Sequence, residues 1–468
     1  MAKTAAAKKT AAKMAKTAAK KTAAKKTTAK AKARPKDNKN EAPLLQHGAY
    51  AAKDIVQVAL SKSKYEGAAP GSSLTVHTVG CSSGCVEAGF SYLGIGIRTV
   101  VVDENPDVLF FNLTSFDPEH AVSGAMHYVR KPGEATHSVP CCKHGGRMCA
   151  LSPPDVLYAP LVIKTDKAVA KGGDADFRSA ILRSRPKYFV LFKDGLVKYE
   201  DVEDYASGLS SSYRLVVEHV KNCASGAPVP GATTFVFGVH HSRGEDAHQC
   251  IKEALLEMVS HLDKTVLHAD AFLGATRCHP LAPRATKTVS AEEALTRVAQ
   301  YSITIKALIK KAKSEQHWTN DMTLPDADDR VSKAVEAEGG TVHDMATADM
   351  YQVLLKTWFD EAVTADAIVD LSKPVDKKNA ICRGMLPRVM TKNAAVWAFK
   401  HGKFMRAEDI GLLHGLETTQ VRFLSTRAGI DVVTNAATPA VLLALATAAV
   451  HMQVRKKKGD KEAKKQAA

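Results

Sequence analysis

From about Ser73 to Cys250, apolar runs of strand length alternate with stretches of helical spacing. LTVHTVG, Leu74 to Gly80, reads as a buried strand that enters a small-residue turn, Cys81-Ser82-Ser83-Gly84. A helix follows, and then a second strand in IRTVVVDENP, which ends on the acid Asp103. Further strands are predicted at DVLYAP from Asp155, KYFVLF from Lys187 and TFVFGV from Thr234, with helical spacing between them, as in DFRSAILRS. Alternating strands and helices predict an α/β sheet with helices on both faces. From Ile251 to Asn379 the pattern turns mostly helical, most clearly in SAEEALTRVAQYSITIKALIKKAKSEQ, and reads as an inserted or appended region. Trp318, Trp358 and Trp397 sit beside helical apolar patterns and are expected in the core.

The first strand, turn, helix and acid-ended strand form the opening half of a doubly wound nucleotide-binding sheet. There the turn backbone approaches a cofactor, and Asp103 would hold ribose hydroxyls. Such a pattern also occurs in sheets that bind no nucleotide.

Composition narrows the class. The chain has 468 residues, with 45% hydrophobic and 24% charged, which fits a globular body of two or three domains. The longest apolar stretch, ATPAVLLALATAAV from Ala437, is shorter than a bilayer span and contains Pro439. No apolar segment follows the charges near Met1, so a secretory signal is not expected. Nine cysteines, with Cys141 and Cys142 adjacent, do not suggest a disulfide framework, and a reducing intracellular location is expected.

Charge divides the chain further. The net +16 is concentrated at the ends: residues 1–36 carry 13 basic residues and no acid, and residues 455–468 carry 7 basic against 2 acidic. Everything between holds 45 basic and 47 acidic residues. The first segment is almost wholly Lys, Ala and Thr, with nothing to bury, so it is expected to be disordered. It resembles the Lys/Ala-rich tails of linker histones. Lys8, Lys9, Lys20, Lys21, Lys25 and Lys26, with Arg455, Lys456, Lys457 and Lys458, are the candidate phosphate contacts. DNA in chromatin is the expected partner, RNA an alternative, and a nuclear location follows; a membrane is not expected. A solubility or targeting tail is the competing reading.

The central motifs resemble those of the cytosine-5 DNA methyltransferases. VGCSSGCVEAGFSYLG, Val79 to Gly94, is similar to the family's Phe-x-Gly-x-Gly-Gly loop, with Gly84, Gly89 and Gly94 matching and Gly80, Ser82 and Cys85 departing. TVVVDENPDVLFFN resembles its acidic second motif. RPKYFVLFKDGL, Arg185 to Leu196, resembles the strand that carries Glu-Asn-Val, and GAPVPGATTFVFG, Gly226 to Gly238, the stretch that carries Gln-x-Arg-x-Arg. KFMRAEDIGLLHGL, with Glu408, and TNAATPAVLLALATAAV, with Asn435 and Ala436, resemble the closing motifs. The resemblance implies S-adenosylmethionine held by Gly80, Ser82, Gly84, Asp103 and Asn435, with Gly124-Ala125-Met126 at the adenine motif.

It also exposes departures. The family attacks cytosine with a cysteine that follows the strand matching DVLYAP, yet no cysteine lies between Cys149 and Cys223. Phe192 stands in place of the catalytic glutamate, and Val229, Gly231 and Thr233 in place of Gln-x-Arg-x-Arg. Loss of a nucleophile that acts within a unit removes nearly all catalysis. Cys141 is a displaced candidate nucleophile, but it precedes the strand that it should follow.

The expectation is therefore an α/β, doubly wound, S-adenosylmethionine-dependent methyltransferase-like sheet with a mostly helical second region and disordered basic tails. Its parts are a tail at 1–45, the core at 46–250, the helical region at 251–380 in the target-recognition position, a return to the core at 381–453, and a tail at 454–468. The expected function is DNA or chromatin binding without catalysis. An active cytosine-5 methyltransferase using Cys141 and a structural subunit of a ribonucleoprotein are the alternatives. His137, Cys141, Cys142, His144 and Cys149 are zinc-ligand types, but their spacing fits no common finger, and a loop without metal is expected. His240 and His241 read as an ordinary strand-end loop.

Overall fold

A computed structural model of the chain describes residues 52–65, 73–81, 84–124, 137–162, 173–262, 269, 290–359, 366–377, 380–381, 384–387, 394–421, 432 and 438–466. The Lys/Ala-rich segment 1–45 lies outside the described residues.

The chain enters through α1 (Ala52–Lys62) and continues as β1 (Ser73–Val79), α2 (Cys85–Tyr92), β2 (Gly96–Asp103), α3 (Pro106–Phe116) and β3 (His120–Ser123). A hairpin of β4 (His137–Cys141) and β5 (Arg147–Leu151) intervenes before β6 (Val156–Pro160), α4 (Gly173–Ser184), β7 (Tyr188–Asp194) and α5 (Tyr199–Ala206). Then come β8 (Tyr213–Lys221), β9 (Ala232–His240) and α6 (Ala247–Ser260). Seven strands form one sheet in the order β3-β2-β1-β6-β7-β9-β8, parallel except for β9, which runs antiparallel to both neighbours. Chain order reverses between β1 and β6, the switch point of a doubly wound sheet.

Strand alternation sorts side chains onto the two faces. Val156, Tyr158, Tyr188 and Val190 join one core with Val56 of α1, Val86 of α2 and Leu255 of α6. Leu157, Ala159, Phe189 and Leu191 join the opposite core with Ile181 of α4 and Val202 of α5. At Gly238 on β9, an added Cβ would lie 2.0 Å from Phe189 Cζ on the paired strand, so the ring occupies the space that a side chain would fill.

A third core is built by α7 (Ala291–Ser314), α8 (Ser332–Ala337) and α9 (Val342–Trp358) with a four-stranded antiparallel sheet. That sheet comprises β10 (Ile368–Asp370), β11 (Ala380–Ile381), β12 (Val396–Ala398) and β13 (Lys403–Phe404), in the order β11-β10-β12-β13. Ser290 caps α7 by accepting the Glu293 N–H at 3.2 Å, and Thr341 with Asp344 forms a capping box on α9. Buried Asp349 binds the three helices together, accepting Tyr301 Oη–H at 2.5 Å and Ser332 N–H at 2.8 Å. Trp318 and Trp397 are buried here, and Trp358 packs against the same core. The described residues of 251–380 are mostly helical, as the sequence predicts; β10 and the first residue of β11 are the strand segments there, and β12 and β13 come from the chain after 380. These strands have two or three residues, too short to display a period. Helix α6, which spans the 250/251 boundary, packs into the first core.

The chain closes with α10 (Ala407–Leu413), α11 (Thr418–Val421) and α12 (Ala440–Gln466). From Ala440 to Val450 every residue of α12 is buried, so this apolar stretch is a core helix wrapped by α1, α2 and α6. No described helix is long and apolar enough to cross a membrane. Residues 454–466, expected as a disordered tail, instead continue α12. Lys, Ala, Glu and Gln are good helix formers, and a helix already nucleated by packing propagates cheaply.

Candidate cofactor crevice

The switch point places the carboxyl ends of β1 and β6 side by side. Gly80 leaves β1 at φ +65°, and its N–H donates to Val102 O on β2 at 2.8 Å. An added Cβ would sit 2.9 Å from Phe177 Cζ of α4 and 3.7 Å from Pro160 Cδ. Gly84 caps α2 at φ +67°, and a Cβ there would lie 2.6 Å from Phe111 and 2.8 Å from Phe116. Both positions therefore require glycine for conformation and for space. Ser82 and Ser83 between them lie outside the described residues.

Asp103 ends β2, nearly buried, and its Oδ1 accepts the Asn105 N–H at 2.9 Å. Gly124 follows β3 at φ +85° and donates to Asp103 O at 3.0 Å; Ala125, Met126 and Asn435 lie outside the described residues. Beneath the turn, buried Glu87 accepts from Thr78 Oγ1 at 2.6 Å. Burial pushes the Glu87 carboxyl up, partly opposed by the Thr78 hydrogen bond. Cys81 stands near both acids. Burial, then Glu87 and Asp103, hold its pKa well above the usual thiol range, which suits an unreactive thiol. The acid at the tip of β2 and the left-handed glycine turn suit ribose and backbone contacts, while the Phe177 ring covers Gly80 on its α4 side.

The positions that the sequence resemblance sets against the family's base-chemistry motifs are built into the fold. Phe192 packs into the first core and pairs with Phe235 across β7 and β9. Val229 is buried and Gly231 turns at φ +97°. Fully buried Thr233 donates to Asn222 Oδ1 at 2.7 Å and lies 3.0 Å from Thr438 Oγ1, tying β9 to the entry of α12. Residues 163–172, where a nucleophile loop would lie, are outside the described residues. Glu408 lies in the first turn of α10, its carboxyl raised chiefly by burial and also by Asp409, with a backbone hydrogen bond and Arg406 opposing.

Cys141 is elsewhere. Its buried Sγ lies 3.7 Å from His120 Nδ1 at the first residue of β3, and His120 is level with Val100 on β2. That level is three residues, or about 10 Å, below the Asp103 tip at the usual strand rise. Cys141 therefore lies away from the carboxyl end of β2. The basic residues Arg455 to Lys458 fall on the helical continuation of α12, and Lys8, Lys9, Lys20, Lys21, Lys25 and Lys26 lie outside the described residues. His120 was not legible as a site residue, since 21 positions separate it from Cys141 and only β3 pairing brings them together.

No protein-family model matches the chain, and no curated protein matches it by sequence. Solved structures resemble it at low identity and with TM-scores below 0.5. One is a candidate DNA modification methyltransferase encoded within an E. coli prophage, 12% identical, covering 82% of this chain and 99% of that one, with a TM-score of 0.46. Another is the S. pombe Dnmt2 methyltransferase, 11% identical over 38% of this chain and 54% of that one, TM-score 0.27. A precorrin-6y C5,15-methyltransferase from Geobacter metallireducens is 16% identical over 40% and 87%, TM-score 0.25. By its own strand order and its single antiparallel reversal, the chain has a methyltransferase-like α/β fold.

Proposed function

We propose that the protein is a cytosine-5 methyltransferase-like DNA-binding protein that does not methylate cytosine. The observation that carries this reading is the use made of positions 192, 229, 231 and 233. Where base chemistry would need a carboxylate and a set of base-orienting side chains, the chain has core packing, a left-handed turn and the Thr233–Asn222–Thr438 hydrogen bonds. A pocket that flips and activates a base needs free polar groups aimed at the ring. Here Phe192 and Val229 are packed, Gly231 turns the chain, and Thr233, the one of the four with a polar side chain, is committed to Asn222 beside Thr438.

The crevice itself supports S-adenosylmethionine as its ligand class. Asp103 would accept from the ribose hydroxyls, and the Gly80 to Gly84 turn would lie along the ligand with its backbone. When bound, that cofactor supplies an electrophilic methyl group on a sulfonium. The basic ends would carry the protein to DNA, where phosphate neutralisation gives affinity without sequence preference.

The test pairs two measurements on the full chain. Titration calorimetry with S-adenosylmethionine should give a binding heat that Asp103→Ala weakens about tenfold, as expected for one lost charge-assisted hydrogen bond. A radiolabelled methyl-transfer assay on cytosine-containing DNA should give no incorporation. Turnover in the second assay overturns the reading; absence of heat in the first removes the cofactor from it.

A further inference from the structure

The hairpin β4–β5 is weakly anchored by its own side chains. Of its ten strand residues, Val139, Cys141 and Leu151 are buried, while Ser138, Arg147, Met148 and Ala150 are exposed. A two-stranded ribbon of this kind is marginal by itself. What it does possess is a set of soft ligands brought to one point. The ligand atoms of His120, Cys141, His144 and Cys149 all lie within 4.8 Å of one another. His120 Nδ1 is 3.7 Å from Cys141 Sγ, and His144 Nδ1 is 3.2 Å from Cys149 Sγ.

The backbone explains the convergence. Cys141 pairs with Arg147 and Cys149 with Val139, so the two cysteines are diagonal neighbours on one face of the ribbon. Between them a short helical turn, Cys142–His144, is closed by Gly145 at φ +65° and Gly146 at φ +81°. The Gly146 N–H donates to Cys141 O at 2.8 Å, which folds His144 back over the cysteines. Cys142 points out to solvent, so the adjacent pair does not crowd one centre. The fourth group comes from outside the hairpin, at the start of the edge strand β3. Lys143 fixes the same approach, with its ammonium 2.8 Å from Asp117 Oδ1 in the loop before β3.

We propose that His120, Cys141, His144 and Cys149 form a four-coordinate structural zinc site that clips the hairpin to β3. Tetrahedral zinc with bonds of about 2.0 to 2.3 Å places its ligand atoms about 3.3 to 3.8 Å apart. The His120–Cys141 and His144–Cys149 separations fall within about 0.1 Å of that range, and all four ligand atoms lie within 4.8 Å of one another. Two thiolates and two imidazoles balance the dication, and four protein ligands leave no open position, which makes the site structural in character and not catalytic. Zinc here would supply the cohesion that the small apolar area of the hairpin lacks.

The experiment uses the full chain, purified under reducing conditions with any affinity tag removed. Elemental analysis should find one zinc per chain. Cobalt substitution should give the visible bands of a tetrahedral ion together with thiolate-to-cobalt charge transfer. Cys149→Ser and His144→Ala, at positions not fully buried, should lose the metal while retaining the circular dichroism of the fold. Cys142→Ser should retain it. His120→Ala should also lose the ion, a result that a site confined to the hairpin would not give. The proposal is overturned if the zinc-treated parent holds no more metal than the Cys149→Ser variant. It is equally overturned if mass spectrometry finds Cys141 and Cys149 joined as a disulfide in metal-free protein.

Discussion

His414 shows how a single buried group imposes a pH dependence on the fold. It ends α10, and its backbone carbonyl accepts the Ala440 N–H at 2.8 Å, joining α10 to the start of α12. Neither ring nitrogen has a hydrogen-bond partner among the described residues, and burial pushes its pKa down to about 4. The unfolded chain binds a proton near the usual value of about 6.5, whereas the folded chain resists it down to about 4. Stability from this group is therefore complete above the unfolded value and falls as pH drops towards 4, by at most about 3 kcal/mol. His414→Leu should flatten the acid limb between those values while leaving neutral-pH stability nearly unchanged. Urea unfolding at several pH values measures it, and an unaltered acid limb would count against this assignment. Legibility at this scale was uneven. The strand end at Asp103 and the turn from Gly80 to Gly84 were readable because a strand tip and a tight turn impose local requirements. The partner of Cys141 was not, because His120 comes from a different part of the chain.

Among the elements, α12 organises one face of the sheet, and Gly89 is its point of closest approach. A Cβ on Gly89 of α2 would lie 2.9 Å from Ala444 N and 3.0 Å from Ala440 O, both backbone atoms that cannot swing aside. The family-like glycine spacing that the sequence displays at 84, 89 and 94 thus has three separate causes. Gly84 begins a helix, Gly89 allows two helices to touch, and Gly94 turns at φ +62° with open space around it. Gly89→Ala gains about 1 kcal/mol in helix propensity but overpacks the crossing by about 1 to 3 kcal/mol. A lower melting temperature is expected, while Gly94→Asn, which tolerates the left-handed turn, should change it little. A Gly89→Ala chain as stable as the parent would refute the close crossing. Interior strands were legible because both faces are buried and their apolar runs are continuous. β8 was not, since at the sheet edge it carries Arg214 and Glu218, paired with Glu245 and Lys252, and its apolar signal is diluted.

Over the whole molecule, charge and fold are separable. Residues 37–454 are near-neutral, whereas most of the +16 net charge belongs to residues 1–36. If affinity for DNA resides in that segment, it must scale with the phosphates neutralised and not with the state of the crevice. Contact by about six of its 13 basic residues would lower affinity about a thousandfold between 50 and 200 mM salt. Deleting residues 1–45 should remove most of the binding and most of that slope, while Asp103→Ala should alter neither. The basic residues 455–465 remain in the truncated chain and predict a residual, shallower slope. Fluorescence anisotropy of both chains on duplex DNA and on RNA at two salt concentrations separates these contributions. Equal affinity of the two chains at both concentrations would place recognition in the folded body. A preference for RNA that survives the deletion would assign that recognition to a surface other than residues 1–45.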